Sequence, residues 1–96
     1  TAVLRATYVD DLALMEFLNQ QAKDGREVVQ VFPLEAGESL FVTVPLGERP
    51  KPAYLVLPVY EPIEEGRVKD RLLLQKGRTL LGLHRLSGES YALIFR

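Results

Sequence analysis

The chain has 96 residues, of which 47% are hydrophobic and 26% are charged, and this composition is typical of one globular domain, residues 1–96. It contains no cysteine and one histidine, His84, which excludes disulfides, thiolate zinc sites and multi-histidine metal sites. No apolar run approaches the ~18 residues of a membrane span and no secretory signal is visible, so we expect a cytoplasmic protein. We also expect it to carry no cofactor.

The net charge of −1 conceals an uneven distribution along the chain. Residues 1–66 carry five Lys or Arg and eleven Asp or Glu, whereas residues 67–96 carry seven and two. This asymmetry suits head-to-tail self-association or a polyanionic partner, unless acidic and basic strands become neighbours in one sheet and neutralise each other. The absence of Cys and Trp, together with a single Met and a single Asn, hints at a thermophile.

The first predicted elements are a strand and a helix. Residues 2–9 are rich in β-branched and aromatic types and predict a strand that ends at Asp10. The Asp10 carboxylate can accept hydrogen bonds from the free N–H groups of the next turn, so it predicts a helix N-cap. The helix runs from Asp11 to about Asp24, and Gly25 is placed to close it in a left-handed conformation. Its apolar residues recur on one face: Leu14, Met15, Phe17, Leu18 and Ala22.

The remainder of the chain has the pattern of short strands separated by proline and glycine. Strands are predicted over 27–32, 39–44 and 53–60, with a surface loop over 45–52 that contains three prolines. From residue 67 onward the pattern indicates a meander. It has strands over 79–83 and 91–95, and either a strand or a helical turn over 67–75.

These elements predict an α+β fold in which one amphipathic helix packs on a mainly antiparallel sheet, or on a small barrel, of six to seven strands. The apolar runs 72–74, 80–81 and 91–95 fill consecutive strand positions, so both faces of the sheet must be covered. A closed barrel, a second sheet or a partner subunit would provide the cover, and we expect a homo-oligomer or a protein partner. The expected contact surfaces are the proline-rich loop and the second face of the meander, through Leu72, Leu74, Leu81 and Leu83.

The helix and the strand after it, residues 14–31, resemble a small bacterial family of domains of unknown function. That family shows a strand, a helix that carries a Leu-Asn pair, Gly-Trp-Glu at the start of a strand, and a C-terminal strand with an aromatic or basic end. Arg26 stands here at the position of the tryptophan. The resemblance implies a strand–helix–sheet order and no activity. The matching residues are Leu18, Asn19, Gly25, Glu27, Phe95 and Arg96.

Few residues could support catalysis. His84 is the only side chain with an ordinary pKa near neutrality, and the serines lack the Gly-x-Ser-x-Gly pattern of a nucleophile elbow. The sequence therefore favours a sheet histidine, with one nitrogen paired and the other in water, over a general base. Glu61, Glu64 and Glu65 lack the spacing of a calcium loop. We predict a non-enzymatic protein without a metal site.

An alternative function uses the basic C-terminal third as a nucleic-acid-binding or transcription-regulating module. Strand positions 67, 69 and 71 would share one face, and tyrosines on other predicted strands could stack on exposed bases. The preferred prediction is a small protein-interaction or self-assembling domain. The basic residues of the alternative are Arg67, Lys69, Arg71, Lys76, Arg78 and Arg85, and its tyrosines are Tyr54, Tyr60 and Tyr91.

Overall fold

The computed structural model describes residues 1–35, 37–59, 77–86 and 90–96. Within these ranges the chain forms one helix and six strands, which confirms the α+β class. The segment 67–75, for which a strand or a helical turn is predicted, lies outside the described residues. The elements are β1 (Ala2–Thr7), α1 (Asp11–Lys23), β2 (Arg26–Pro33), β3 (Glu38–Pro45), β4 (Leu55–Val59), β5 (Leu80–Arg85) and β6 (Tyr91–Phe95).

The six strands form one mixed sheet in the order β1-β3-β2-β5-β6-β4. Every pairing is antiparallel except that of β2 with β5, which is parallel. The sheet is open, because β1 and β4 lie at its two ends and do not pair with each other, so the barrel alternative is wrong. Pro58 is the fourth of the five residues of β4, and a proline within a strand is typical of an end strand because it has no N–H to donate.

Helix α1 begins and ends where the sequence predicts. The Asp10 carboxylate accepts hydrogen bonds from the backbone N–H groups of Leu12, at 2.7 Å, and Ala13, at 3.3 Å. Gly25 has a φ of 78°, the left-handed conformation that lets the chain turn from the helix into β2. The helix buries Leu14, Leu18 and Ala22 against the sheet.

The main core lies between α1 and one face of the sheet. The helix contacts both β2 and β4. Phe41 is fully buried and packs near the rings of Tyr8 and Phe17. On β6, the alternating residues Leu93 and Phe95 are buried but lie outside this cluster. The core cluster consists of Leu14, Leu18, Val28, Val31, Phe41, Tyr54, Leu81, Leu86, Ala92 and Ile94.

The two halves of the sheet meet at a narrow joint between β2 and β5. One register pair, Val31 with Gly82, joins the β1-β3-β2 half to the β5-β6-β4 half. Beyond this pair, the backbone N–H of Val28 donates to the Tyr54 hydroxyl at 2.8 Å. Burial raises the pKa of Tyr54, so its hydroxyl keeps its proton. The Tyr54 hydroxyl therefore accepts a backbone hydrogen bond from a residue of β2 that does not pair with β5.

Candidate functional site

Ser39 and His84 form the couple in the described chain that most resembles a catalytic pair. Ser39 Oγ lies 2.6 Å from His84 Nδ1, and His84 Nε2 lies 2.6 Å from the backbone oxygen of Tyr8. Both side chains are fully buried. The histidine thus connects β5 to β3 and to the segment after β1.

The hydrogen-bond partners define the tautomer of His84. The Tyr8 carbonyl can only accept, so in the neutral ring Nε2 carries the proton and donates to it. Nδ1 is then an acceptor, and the Ser39 hydroxyl donates to it. This is the direction a histidine needs in order to remove a proton from a serine.

The burial of this couple argues against catalysis. Neither Ser39 nor His84 exposes surface to solvent, so a substrate atom has no approach to the hydroxyl. Burial lowers the pKa of His84, and the Tyr8 carbonyl that accepts from Nε2 opposes this shift. Both ring nitrogens have protein partners, so the expectation of one nitrogen in water is wrong. The couple stabilises the contact between three elements.

Protonation of His84 is expected to destabilise the fold in mild acid. The pKa of His84 lies below its ordinary value of 6.5 in the folded state, so the unfolded chain binds a proton more readily. The stability that the neutral ring provides is complete above about pH 6.5 and is lost as the pH falls through the folded pKa. We therefore expect the free energy of unfolding, measured by urea titration, to fall between about pH 6.5 and pH 5.

His84→Gln is the control, because His84 is the only histidine in the chain. The variant has a lower free energy of unfolding at pH 7 but should lose less of it between pH 6.5 and pH 5 than the natural chain. An equal loss in both proteins would contradict the assignment to His84.

A second buried polar group is Glu27, at the start of β2. Its side chain is fully buried, and Oε2 lies 2.8 Å from Nη1 of Arg49, while Oε1 contacts Nη1 of Arg96. Within the described chain, neither oxygen has a well-aligned hydrogen-bond donor, so these are charge contacts. Arg49 also donates to the backbone oxygens of Leu46 and Pro45. The cluster thus connects β2, the proline-rich loop and the end of β6.

The surface feature that distinguishes the fold is an apolar area on the sheet face opposite α1. Val3 on β1 is 58% exposed and Phe32 on β2 is 45% exposed. The strand register places Val3 beside Val42, and Phe32 beside Leu40, both half-buried residues of β3. We call this area the open face. It is defined by Val3, Phe32, Leu40 and Val42.

The structure distributes the predicted contact residues differently from the sequence argument. Leu81 is 7% exposed and belongs to the main core, so little of it is available to a partner, whereas Leu83 is half-buried. Leu72 and Leu74 lie outside the described residues. The sequence pattern predicts strands at Val3 and Phe32 but does not identify the open face. The signal in the sequence is that Arg5 and Thr7 are polar and lie on the same strand face as Val3, which indicates an exposed face.

Five of the residues predicted to bind nucleic acid lie outside the described residues: Arg67, Lys69, Arg71, Lys76 and Tyr60. Arg78 is exposed and donates to the backbone oxygen of Ala53 at 3.0 Å. Arg85 is exposed but engaged in an interaction. Tyr54 is buried and Tyr91 is half-buried. The described residues thus contribute no continuous basic and aromatic surface.

The described part of the chain offers little else that could hold a ligand. A shallow groove of about 360 Å³ lies beside the helix. Within the four described ranges, no three acidic or histidine side chains form a group that could hold a metal ion. No helix among these residues is long and apolar enough to cross a membrane. The groove is lined by Tyr8, Ala13, Glu16, Phe17 and Gln20.

Comparison of the chain with family models, curated proteins and solved structures finds no match. The resemblance of residues 14–31 to a family of unknown function therefore stays a prediction. The geometry of the open face and of the buried Ser39–His84 couple is the basis for the function proposed below.

Proposed function

We propose that the protein is a non-enzymatic association domain that binds protein through the open face. The observation that carries this proposal is the exposure of Val3 and Phe32 beside half-buried Leu40 and Val42 on three adjacent strands. Exposed apolar side chains that lie beside half-buried ones on one sheet face commonly mark a contact with another molecule. A protein partner of either kind, a second copy or a different chain, would remove this surface from water.

The chemistry of the described residues supports the same proposal. A serine and a histidine with the hydrogen bonding of a nucleophile pair are present, but both are fully buried. The buried Glu27 is occupied by two arginines. An association domain requires neither group to be accessible, because its affinity comes mainly from apolar burial and shape complementarity.

Phe32→Thr is expected to weaken association by roughly tenfold, because a half-exposed phenylalanine loses part of the transfer free energy of its ring. Threonine keeps the preference for a strand, and the ring is not needed by the core on the helix side. Sedimentation velocity over a dilution series measures self-association, and the same variant serves in affinity measurements with any partner that is found.

Leu12→Gln is the matched control, since Leu12 is 71% exposed but lies on the helix, away from the open face. The proposal requires Phe32→Thr to weaken binding and Leu12→Gln to leave it unchanged. The reverse result would place the contact at the start of α1. Salt-sensitive binding of a labelled oligonucleotide, measured at about 50 and 200 mM salt, would favour the nucleic-acid alternative instead.

A further inference from the structure

The two end strands of the sheet differ in how well they resist further pairing. β4 contains Pro58, whereas β1 contains no proline and pairs with β3 over six residues without a register shift. Proteins commonly blunt exposed strand edges with prolines, bulges or charges that prevent the addition of another strand. Among these devices, β1 has only Arg5, and that guanidinium is paired with Glu38 at 2.8 Å.

The hydrogen bonds at the end of β1 show which of its backbone groups point outward. The N–H of Tyr8 donates to the backbone oxygen of Gly37 at 2.6 Å, on the side of β3. Backbone N–H and C=O groups alternate in direction along a strand, so those of Ala2, Leu4 and Ala6 also point toward β3. The N–H and C=O groups of Val3, Arg5 and Thr7 therefore point away from β3. In the described part of the chain no further strand pairs with this side.

We infer that β1 pairs antiparallel with β1 of a second copy, which joins two six-stranded sheets edge to edge. This inference rests on the proposed association function and adds a second surface to it. The outward groups of β1 provide donors and acceptors in alternation, so the strand is complementary to itself about a two-fold axis perpendicular to the sheet.

The charge on Arg5 selects the register. Opposite residues in an antiparallel pair lie on the same face, so the two-fold axis passes beside a residue and not between two residues. Leu4 and Arg5 are the central residues of β1, so an axis beside one of them pairs most of the strand. An axis at Arg5 would place two guanidinium groups directly opposite each other, which is destabilising. An axis at Leu4 places Val3 opposite Arg5 of the second copy and pairs outward N–H and C=O groups on both strands. The register centred on Leu4 is therefore the one assigned.

Pairing in this register covers apolar surface on both sides of the sheet. Val3 is 58% exposed on the open face, and the aliphatic part of Arg5 from the second copy would cover it. On the helix side, Leu4 and Ala6 are only half-buried although they pack against the core. The second copy would bring its own Leu4 and Ala6 to this edge. The two open faces would also form one continuous surface.

Leu4→Cys tests the register, because the natural chain has no cysteine. Opposite residues without mutual backbone hydrogen bonds have Cα atoms about 4.5 Å apart, within the range that a disulfide spans. We expect mild oxidation to cross-link Leu4→Cys into a covalent dimer. Ala6→Cys should stay mostly monomeric, because in this register the two copies of residue 6 lie four residues, roughly 13 Å, apart along the strands. Cross-linking of Ala6→Cys alone, or of neither variant, would overturn the assigned register.

Val3→Pro tests the edge without a cysteine. It removes an outward N–H that β3 does not use, so the fold should tolerate it, and Val3→Ala is the control that keeps this N–H. We expect sedimentation velocity to give a dimer dissociation constant about tenfold higher or more for Val3→Pro than for Val3→Ala, because two backbone hydrogen bonds are lost per dimer.

The variants separate failure of this inference from failure of the proposed function. Association that responds to Phe32→Thr but equally to Val3→Pro and Val3→Ala would overturn the edge contact and preserve the open face. Association that responds to Val3→Pro alone would support the edge and contradict the role of Phe32. A chain that stays monomeric at every concentration would overturn self-pairing, while binding of a different protein would still be measured with Phe32→Thr.

Discussion

Gly82→Ala is expected to lower the free energy of unfolding by about 3 kcal/mol or more, because it forces apart two paired strands. A Cβ at position 82 would overlap the carbonyl oxygen of Val31 and lie 2.9 Å from its carbonyl carbon. Both atoms belong to the backbone of β2, so rotation of a side chain cannot relieve the overlap. The strands must move instead.

The expected loss is large because of where Gly82 lies. It pairs with Val31 in the parallel contact that joins the two halves of the sheet. Val31 is also 3% exposed and belongs to the main core, so displacement of β2 would disturb the packing beneath the helix. Urea denaturation followed by circular dichroism measures the change, and the sharpness of the transition shows whether the two halves still unfold together.

Gly47→Ala is the matched control for Gly82→Ala. Gly47 also has a positive φ, 64°, but a Cβ there would meet no atom within 4 Å. The control therefore carries only the strain of the backbone conformation, about 1 kcal/mol. If Gly82→Ala cost no more than Gly47→Ala, the joint between β2 and β5 would be looser than the structure shows.

The features that sequence predicted well are those that local chemistry determines. The helix begins after Asp10 because its carboxylate bonds two N–H groups that are adjacent in sequence. It ends just before Gly25, which adopts the left-handed conformation that turns the chain into β2. Neither inference depends on which strand lies next to which.

The order of the strands depends on contacts between distant segments. The last two strands of the predicted meander, β5 and β6, pair antiparallel as expected, while its segment 67–75 lies outside the described residues. β4 and β5 do not pair with each other; both flank β6. The parallel pairing of β2 with β5 has no local signal, because one glycine, Gly82, allows the close approach. The sequence near Gly82 does not indicate that β2 is its partner, so this pairing can be recognised only from the structure.

The position of Leu81 shows why a contact surface is hard to read from alternation alone. Regular alternation puts Leu81 and Leu83 on the same face, as the sequence argument assumed. The pairing of β5 with β6 shifts register between Leu80 and Gly82, which leaves Leu81 as the extra residue of a bulge. Leu81 belongs to the main core as a result, while Leu83 is half-buried.

Glu27→Gln is expected to lower the free energy of unfolding by about 2–3 kcal/mol. Removal of one partner from a buried ion pair typically costs 3–5 kcal/mol, and the lower figure applies here because the side chains of Arg49 and Arg96 are 49% and 38% exposed and can regain water. Glutamine keeps the size of the side chain, so the change isolates the charge. Urea denaturation at neutral pH provides the measurement.

Glu38→Gln is the matched control, since Glu38 also pairs with an arginine, Arg5, but at the surface. Solvent and salt screen that pair, so we expect a much smaller loss of stability. Equal losses in the two variants would contradict a special role for the buried carboxylate. A large loss confined to Glu27→Gln would mean that this charge holds the proline-rich loop and the end of β6 against the start of β2, because Arg49 and Arg96 belong to those two segments.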